Sequence, residues 1–236
     1  MEILGYDVHV NELREINLNR KQIINTINAH SYQVAKRDDI FRKALSSSDI
    51  LLPDGVSFVW AASRLNSIKI KKIAGYDIFI FLMRALNSKK NSKVFFLGAG
   101  NHVLNCIKQK ALIEFPNIRV DYYSPPFKSN FNETDNREMT NRINFFDPDV
   151  LFVGMTAPKQ EKWVFRNQHE IRANIICNIG AVFDFYSENK KRPHPFWINL
   201  GLEWLMRLLQ EPRRLWRRNI SSILFVIEVF KKSLFR

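Results

Sequence analysis

The amino-acid sequence predicts an α/β protein with a mainly parallel sheet and a helical appendage at its C-terminal end. From about residue 20, short apolar runs alternate with longer amphipathic segments, which is typical of repeated βα units. After about residue 197 this alternation stops, and the chain becomes helical in pattern, strongly basic, and rich in Trp and Phe. We therefore predict an α/β domain over residues 1–196 and an appendage over residues 197–236.

Six apolar runs are predicted to form the strands, and segments with apolar residues near i, i+3 and i+4 are predicted to form helices between them. The predicted strands are 22–27, 49–52, 93–98, 118–123, 149–154 and 174–180. The predicted helices are 31–47, 55–65, 76–88, 102–115, 133–146 and 160–172. Within the appendage, Pro212 is expected to separate two helices, because a proline inside a helix removes a hydrogen bond and clashes with the preceding turn.

The composition is that of a folded, basic protein. Hydrophobic residues make up 46% of the chain and charged residues 25%, so disorder is not expected. The 36 Lys and Arg against 23 Asp and Glu give a net charge of +13, which favours nucleic acid, anionic lipid or phosphorylated substrates as partners. The two cysteines are far apart and indicate neither a disulfide framework nor a metal site. No basic segment precedes an apolar signal stretch, and no run of about 18 apolar residues indicates a membrane span.

The stretch Pro53-Asp54-Gly55 follows a predicted strand and precedes a helical pattern marked by Val56, Val59 and Trp60. Asp54 therefore lies at the carboxyl end of a strand, where open α/β sheets bind ligands. It could cap the helix, which would stabilise the helix by about 1 kcal/mol. Alternatively, it could act as a general base that takes a proton from an attacking hydroxyl. Periodicity does not separate these two roles.

Two further loops at predicted strand ends carry polar or small residues. Thr26 and Asn28 could orient a polar ligand, or they could cap the helix that follows. Gly98 and Gly100 stand between a strand and a helix, so backbone amides at the helix N-terminus could hold a diphosphate. The full dinucleotide fingerprint would require a third glycine where this chain has Val103, which weakens the case for a nicotinamide cofactor.

The loops near residues 159 and 184 are candidates for ligand contact. Lys159, Gln160 and Glu161 open a helix directly after a strand, a position at which polar residues are usually solvated. They emerge from the same sheet edge as the other loops, which favours ligand contact. Asp184 lies between two aromatic residues and could bind a ribose or a base; its alternative role is a salt bridge to one of the basic residues over 190–192. The five histidines are scattered without metal-binding spacing, so we predict no protein-held catalytic metal.

The appendage combines basic residues with an apolar stretch. Five arginines recur at three- and four-residue spacing, so several share a helix face: Arg207, Arg213, Arg214, Arg217 and Arg218. The following segment, residues 223–235, has a large apolar face together with Lys231 and Lys232, as in a helix that lies in a membrane interface. Each basic residue near an anionic surface adds about 1 kcal/mol to binding. We therefore favour membrane contact over a merely solvated face.

Taken together, these segments closely resemble the WecG/TagA/CpsF family of bacterial glycosyltransferases from about residue 20 to about residue 220. The order and spacing of several motifs carry the resemblance. They are T-x-N at Thr26 and Asn28, LPDG at Asp54, IAGYD with Gly75 and Asp77, FFLGAG, PDVLFVGMTAPKQEKW, IGAVFDF, KRP and GLEWLMRLLQEPRRLWRR. The sequence departs from the family pattern at Lys72, where an arginine is frequent.

The resemblance implies a Rossmann-like core with a membrane-associating helical appendage. It implies an inverting glycosyltransferase that moves a hexosyl group, often N-acetylmannosamine or a related sugar, from a UDP-sugar. The acceptor would be a polyprenyl-diphosphate-linked sugar used in cell-surface polysaccharide synthesis. The enzyme would work without a metal or other cofactor, in the cytoplasm, peripherally on the inner face of the bacterial cytoplasmic membrane. Some family members self-associate, so a homo-oligomer is a further expectation.

The resemblance also assigns residues by position. Asp54 matches the catalytic base, and Thr26 and Asn28 match the polar pair beside it. The residues that fall on substrate-binding motifs of the α/β domain are Gly75, Asp77, Gly98, Gly100, Lys159, Gln160 and Asp184. Arg207, Arg214 and Arg217 match appendage arginines that meet the lipid diphosphate and neutralise the leaving UDP.

Other classes of function stay open from the residues alone. A nucleic-acid-binding protein would fit the net charge, but the basic residues concentrate on an apolar, Trp-rich tail and not on a groove-reading element, so we expect no nucleic acid partner. A nicotinamide-dependent Rossmann protein would fit the strand and glycines near residue 98, but Asp121 lies within its strand and not at its end. A scaffold without activity is a third alternative, which the presence of Thr26, Asn28 and Asp54 disfavours.

Overall fold

The computed structural model describes residues 1–234, without the side chains of Asn199 and Arg214. Within this part of the chain, two short strands, β1 (Glu2–Ile3) and β2 (Tyr6–Asp7), pair as an antiparallel hairpin that the sequence did not predict. Six further strands form the central sheet. They are β3 (Gln22–Ile27), β4 (Ile50–Pro53), β5 (Ser92–Leu97), β6 (Ile118–Tyr123), β7 (Val150–Val153) and β8 (Ile175–Asn178).

The central sheet has the strand order β4-β3-β8-β7-β5-β6, and its neighbouring strands pair in parallel. This confirms the predicted α/β class and its parallel sheet. The strands are apolar along nearly their whole length because helices cover both faces of the sheet. On β3, for example, Ile23 and Ile27 face one layer of helices and Ile24 faces the other.

Helices follow most of the strands. In the α/β part they are α1 (Ala29–Ala35), α2 (Asp39–Ser46), α3 (Val56–Asn66), α4 (Gly75–Asn87), α5 (Asn101–Glu114), α6 (Glu133–Phe146), α7 (Lys159–Asn167) and α8 (Val182–Tyr186). The helix α9 (Pro195–Asn199) crosses the predicted boundary at residue 197, and the appendage continues with α10 (Glu203–Gln210) and α11 (Pro212–Leu234). A single turn of 3-10 helix covers Leu13–Glu15.

The single helix predicted over 31–47 is wrong. The chain leaves helical geometry after α1, and Asp38 caps a new helix, α2, by accepting a hydrogen bond from the Phe41 amide at 3.0 Å. Lys162 of α7 also reaches Asp38, with 2.8 Å between its Nζ and Oδ2. The helix predicted over 160–172 is too long, since α7 ends at Asn167, and α8 was not predicted.

The appendage packs on the α/β part through α11. Pro212 begins α11 directly after α10, as predicted, because a proline is tolerated at the first helical position. Phe225 is fully buried: its ring meets Tyr32 edge-on at 5.2 Å and stacks on Phe58 at 6.0 Å. Glu228 accepts hydrogen bonds from α1, including one from Gln33 at 3.0 Å. α11 therefore completes the core on this side of the sheet.

The opposite side of the appendage is apolar and exposed. The large side chains concerned are Trp204, Leu209, Trp216, Ile220, Ile223, Leu224, Ile227 and Phe230. Among the helices of the described chain, none combines the length and the apolar content that a bilayer span requires.

Candidate active site

The carboxyl ends of neighbouring parallel strands bring the predicted site loops to one edge of the sheet. Thr26 lies near the end of β3 and Asn28 directly follows this strand. Asp54 follows β4, which is the neighbour of β3 in the sheet. Gly98 and Gly100 follow β5, and Lys159 and Gln160 follow β7 beside it. Asp184 follows β8, which lies between β3 and β7. The strand order thus assembles loops that are far apart in sequence.

Asp54 lies directly beside the end of β3. Its amide donates a hydrogen bond to the Ile27 carbonyl at 2.8 Å. Gly55 has a φ of +84°, and a Cβ there would lie 3.6 Å from the Asn28 Cβ. The turn therefore places Asp54 next to Asn28, and the positive φ of Gly55 lets the chain enter α3 there.

The structure argues against the helix-capping role of Asp54. The N-cap of α3 is Gly55, and no side-chain hydrogen bond caps this helix within the described residues. Asp54 instead belongs to a group of charged side chains from the loop before α4 and from the appendage.

Burial raises the pKa of Asp54 to about 6, and the nearby Glu203 carboxylate acts in the same direction. Three cations lower the pKa of Asp54; in decreasing order of their effect they are Lys72, Arg207 and Arg218. A carboxyl group with a pKa near 6 can hold a proton taken from a substrate hydroxyl, yet it is mostly ionised at neutral pH. The position and the pKa of Asp54 therefore suit a general base.

Glu203 and Lys72 were not among the predicted site residues. Lys72 Nζ lies 3.1 Å from Glu203 Oε2, and both side chains are largely buried. This ion pair joins the start of α10 to the loop before α4. Sequence periodicity cannot indicate this ion pair, because 130 residues lie between its two members. Glu203 does lie within the GLEWL segment.

Asn28 caps α1. Its Oδ1 accepts a hydrogen bond from the Ser31 amide at 2.9 Å, and Ser31 Oγ accepts one from the Asn28 amide at 2.7 Å. Asn28 therefore has the helix-capping role that was one of its two predicted roles. The catalytic role of Asn28, and that of the neighbouring Thr26, stays a prediction.

The ends of β5 and β7 approach each other closely at two glycines. Gly98 has a φ of +111°, and a Cβ there would come within 2.8 Å of the Gly154 carbonyl oxygen. Gly154 itself lies against the Phe183 ring, which a Cβ would meet at 2.3 Å. By contrast, a Cβ on Gly100, the N-cap of α5, would meet nothing within 4 Å. Open space therefore lies before this helix N-terminus, where an anion is favoured.

Gln160 and Glu161 are buried at the start of α7, contrary to the usual solvation of such residues. Gln160 Oε1 accepts a hydrogen bond from the Met155 amide at 3.1 Å, and its Nε2 donates to Glu161 Oε1 at 2.8 Å. Lys159 points toward a different loop, where its Nζ lies 3.8 Å from the centroid of the Phe131 ring. Gln160 thus fixes the loop after β7.

Asp184 and Asp77 have structural partners. Asp184 pairs with Lys190 at 3.3 Å, so its predicted alternative role is present. Asp77 Oδ2 accepts a hydrogen bond from the Ala74 amide at 2.9 Å and thereby caps α4. Gly75 packs closely on the loop after β8, since a Cβ there would lie 3.4 Å from the Ile179 carbonyl oxygen. Ligand binding by these residues stays a prediction.

The predicted appendage arginines differ in position. The Arg207 guanidinium lies 5.1 Å from the centroid of the Phe185 ring, and its positive charge lowers the pKa of Asp54. Arg217 is exposed and lies 5.6 Å from the Trp216 ring. Arg214 belongs to α11, but its side chain lies outside the described part of the structure.

Arg218 is the arginine that the sequence reasoning passed over as a site residue. It lies seven residues before Phe225, on the face of α11 that meets the core, and its charge reaches Asp54. The buried Phe225 was the signal that could have identified this face.

The geometry is that of an α/β protein with a partly buried carboxylate at the carboxyl edge of a parallel sheet and with cations supplied by its appendage. A family model described as the glycosyl transferase WecG/TagA/CpsF family matches residues 1–236. The chain belongs to this family and is a glycosyltransferase.

Curated relatives agree with this membership. A protein of Bacillus spizizenii is 32% identical over 98% of this chain and 86% of its own length. A Bacillus subtilis protein is also 32% identical, over 89% of this chain and 79% of its own length. A Staphylococcus aureus protein is 24% identical over 89% of this chain and 80% of its own length. Each relative is named N-acetylglucosaminyldiphosphoundecaprenol N-acetyl-β-D-mannosaminyltransferase.

Proposed function

We propose that this glycosyltransferase moves an N-acetylmannosaminyl or related hexosyl group from a UDP-sugar to a polyprenyl-diphosphate-linked N-acetylglucosamine, with inversion at the anomeric carbon. The names of the relatives support the transferred sugar and the acceptor. The observation that carries the mechanism is the partly buried Asp54 carboxyl at the carboxyl edge of the sheet beside Asn28, where burial raises its pKa to about 6.

In the proposed reaction, Asp54 takes the proton of the acceptor hydroxyl as that oxygen attacks the anomeric carbon of the donor. The new C–O bond forms on one face of the sugar while the bond to UDP breaks on the other. The leaving diphosphate takes the electron pair of the broken bond. Arg207 lies close enough to this centre to influence Asp54, and guanidinium groups can bind diphosphate oxygens through two hydrogen bonds.

The donor diphosphate is proposed to lie between the loops after β5 and β7. The open space before α5 at Gly100 supports this placement, because backbone amides at a helix N-terminus attract anions. The absence of a side chain at Gly98 and at Gly154 lets the two strand ends pack closely beneath this space. Gln160 holds the loop after β7 in its observed course.

The exposed face of α10 and α11 is proposed to bind the inner face of the bacterial cytoplasmic membrane. Its aromatic and aliphatic side chains lie beside exposed cations such as Arg213, Arg217 and Lys231. This combination suits the interface of an anionic bilayer. Residues 197–236 would then serve as a unit that holds the site next to its lipid-linked acceptor. Self-association of the chain stays a prediction.

The test is the release of UDP by the purified full chain, given UDP-N-acetylmannosamine and a short-chain lipid-diphosphate-linked N-acetylglucosamine. We expect release that depends on the acceptor and that Asp54→Asn lowers by about 10²–10⁴-fold, the usual contribution of a general base. Release with a different UDP-sugar would change the proposed sugar and keep the mechanism. No release with any UDP-sugar, by a protein that still binds vesicles, would overturn the proposal.

A further inference from the structure

The loop after β6, residues 124–132, presents an uncovered aromatic side chain at the carboxyl edge of the sheet. Phe127 is fully exposed, and no other large apolar side chain of the described residues is as exposed. A phenyl ring in water forgoes the stabilisation that its burial would give. Single exposed apolar side chains are common on protein surfaces, so the surroundings of this ring decide its meaning.

The loop is fastened to three neighbouring elements. At its start, Ser124 Oγ donates a hydrogen bond to the Ala99 carbonyl in the loop after β5, at 2.8 Å. Lys128 Nζ lies 2.9 Å from both carboxylate oxygens of Asp135 in the first turn of α6. Lys159 Nζ, at the start of α7, donates to the Lys128 carbonyl. The backbone on both sides of the exposed ring is therefore held in place.

A tight turn makes Phe127 the apex of this loop. The Lys128 amide donates a hydrogen bond to the Pro126 carbonyl at 2.9 Å, which closes a three-residue turn around Phe127. Pro125 and Pro126 restrict the backbone directly before the turn. An aromatic ring that is held in this way loses little conformational freedom when a ligand packs on it.

The loop borders the open space before α5. β6 is the neighbour of β5 in the sheet, and parallel strands lie about 4.8 Å apart. The Gly98 amide donates a hydrogen bond to the Tyr123 carbonyl at 3.1 Å, so the two strand ends stay paired up to this edge. Ala99, which the loop contacts, directly precedes Gly100, the N-cap of α5. The space proposed for the diphosphate thus has the loop after β6 at one side.

The strand order gives the donor a direction along the carboxyl edge. Asp54 follows β4 at one end of the sheet, and Phe127 follows β6 at the other end. The proposed diphosphate position, between the ends of β5 and β7, lies between them. The sugar and the uridine of a UDP-sugar are attached to opposite ends of its diphosphate. A donor with its sugar toward Asp54 therefore extends its nucleoside toward β6.

We infer that Phe127 is the surface on which the uracil base of the donor stacks, at the end of the site opposite Asp54. This inference rests on the proposed function and adds the residue that binds the nucleoside. An exposed aromatic ring binds a base through its face and needs no hydrogen bond to do so. The ammonium groups of Lys128 and Lys159 are engaged within the loop, so the ring is what the apex offers to a ligand.

The test measures the affinity of the full chain for UDP and for inorganic pyrophosphate, by calorimetry. Phe127→Ala removes the ring, and Phe127→Tyr keeps a ring at the same position. Phe145→Ala is the matched control, because Phe145 is also almost fully exposed. It lies at the end of α6, just before β7 begins, and so at the opposite edge of the sheet.

We expect Phe127→Ala to bind UDP about 5- to 150-fold more weakly than wild type, the usual range for loss of one stacked base. Its affinity for pyrophosphate should stay within about twofold, because pyrophosphate has no base. Phe127→Tyr should bind UDP within about threefold of wild type, and Phe145→Ala should change neither affinity. The thermal unfolding temperature of Phe127→Ala should match that of wild type, since the ring is exposed.

Unchanged UDP affinity of Phe127→Ala, in a wild type that binds UDP, would overturn the inference and leave the proposed donor standing. An equal loss of UDP and pyrophosphate affinity would also overturn it, because the ring would then only support the loop. Weaker vesicle binding by Phe127→Ala with unchanged UDP affinity would assign the ring to the membrane instead. Wild-type protein that binds pyrophosphate but not UDP would overturn the inference together with the proposed donor.

Discussion

The Lys72 ammonium and the Glu203 carboxylate form an ion pair of 3.1 Å beside Asp54, and they act on its pKa in opposite directions. The pair also joins the α/β part to the appendage. The catalytic carboxyl proposed here therefore has its ionisation set partly by a residue of α10. In the proposed mechanism the appendage thus has a part in the chemistry of the site as well as in its placement at the membrane.

The first prediction follows from these opposite effects. Glu203→Gln removes a charge that raises the pKa of Asp54, so the acidic limb of the pH profile of kcat/KM should move to lower pH. Lys72→Met removes a charge that lowers this pKa, so the limb should move to higher pH.

Both substitutions break the same ion pair, so each serves as the structural control for the other. The measurement is kcat/KM for acceptor-dependent UDP release between about pH 5 and pH 8, the range in which such a base titrates. A shift in the same direction for both variants would show that loss of the contact, and not charge, governs the profile.

The second prediction concerns the stability cost of Asp54. Its pKa of about 6 in the folded protein exceeds its ordinary value of 3.8, so the folded state binds this proton more tightly than the unfolded state does. The stabilisation is present at low pH and is lost as the pH rises through 6. Asp54→Asn, which never ionises, should therefore be more stable than wild type at pH 8, by about 2–3 kcal/mol at most.

Urea unfolding of both proteins at pH 8 and at pH 5 tests this expectation. The stability difference should be largest at pH 8 and should shrink at pH 5, where wild-type Asp54 is mostly protonated. An equal difference at both pH values would mean that the carboxyl is not desolvated in the folded protein. Loss of activity together with a gain in stability would mark Asp54 as a functional residue.

The third prediction separates the two faces of α11. Phe225 is fully buried between Tyr32 and Phe58, so Phe225→Ala should lower the free energy of unfolding by about 3–5 kcal/mol. Phe230 is half exposed on the other face, so Phe230→Ala should change it by no more than about 0.5 kcal/mol. Equal losses measured by urea unfolding would contradict the observed orientation of the helix.

Much of this architecture could be predicted from the sequence. The six strands of the sheet lie within a few residues of their predicted positions, because parallel strands buried on both faces are nearly continuous apolar runs. The break at Asp38 was missed because the apolar spacing of 31–47 continues through it, and a tertiary contact from Lys162 helps to fix the break. Hydrophobic periodicity along the sequence does not reveal tertiary contacts of this kind.

The site was predictable in part for the same reason. Strand ends and the turn at Asp54 can be placed from local pattern. By contrast, Glu203 and Arg218 reach Asp54 only because α10 and α11 fold back over the sheet edge. The spacing of arginines in the appendage indicates shared helix faces, but it does not indicate which face meets the core. The buried Phe225 decides that question in favour of Arg218.

The fourth prediction tests the exposed face of the appendage against the nucleic-acid alternative. Ile223, Ile227 and Phe230 lie on α11 with exposed apolar side chains, next to cations. Wild-type protein should co-sediment with phosphatidylglycerol vesicles and much less with phosphatidylcholine vesicles, because each basic residue contributes about 1 kcal/mol at an anionic surface. Replacing Ile223, Ile227 and Phe230 together by Ser should reduce vesicle binding about tenfold or more, since apolar burial supplies the rest of the affinity.

The matched control is Ile113→Ser, which removes an exposed aliphatic side chain of α5 outside the appendage and should leave vesicle binding unchanged. Binding to duplex DNA is measured in parallel at about 0.15 M salt, because binding through phosphate contacts alone weakens steeply with salt. Binding to DNA that survives this salt and is unaffected by the triple substitution would favour a nucleic-acid surface. Loss of vesicle binding with unchanged UDP affinity would instead show that the appendage positions an intact site at the lipid surface.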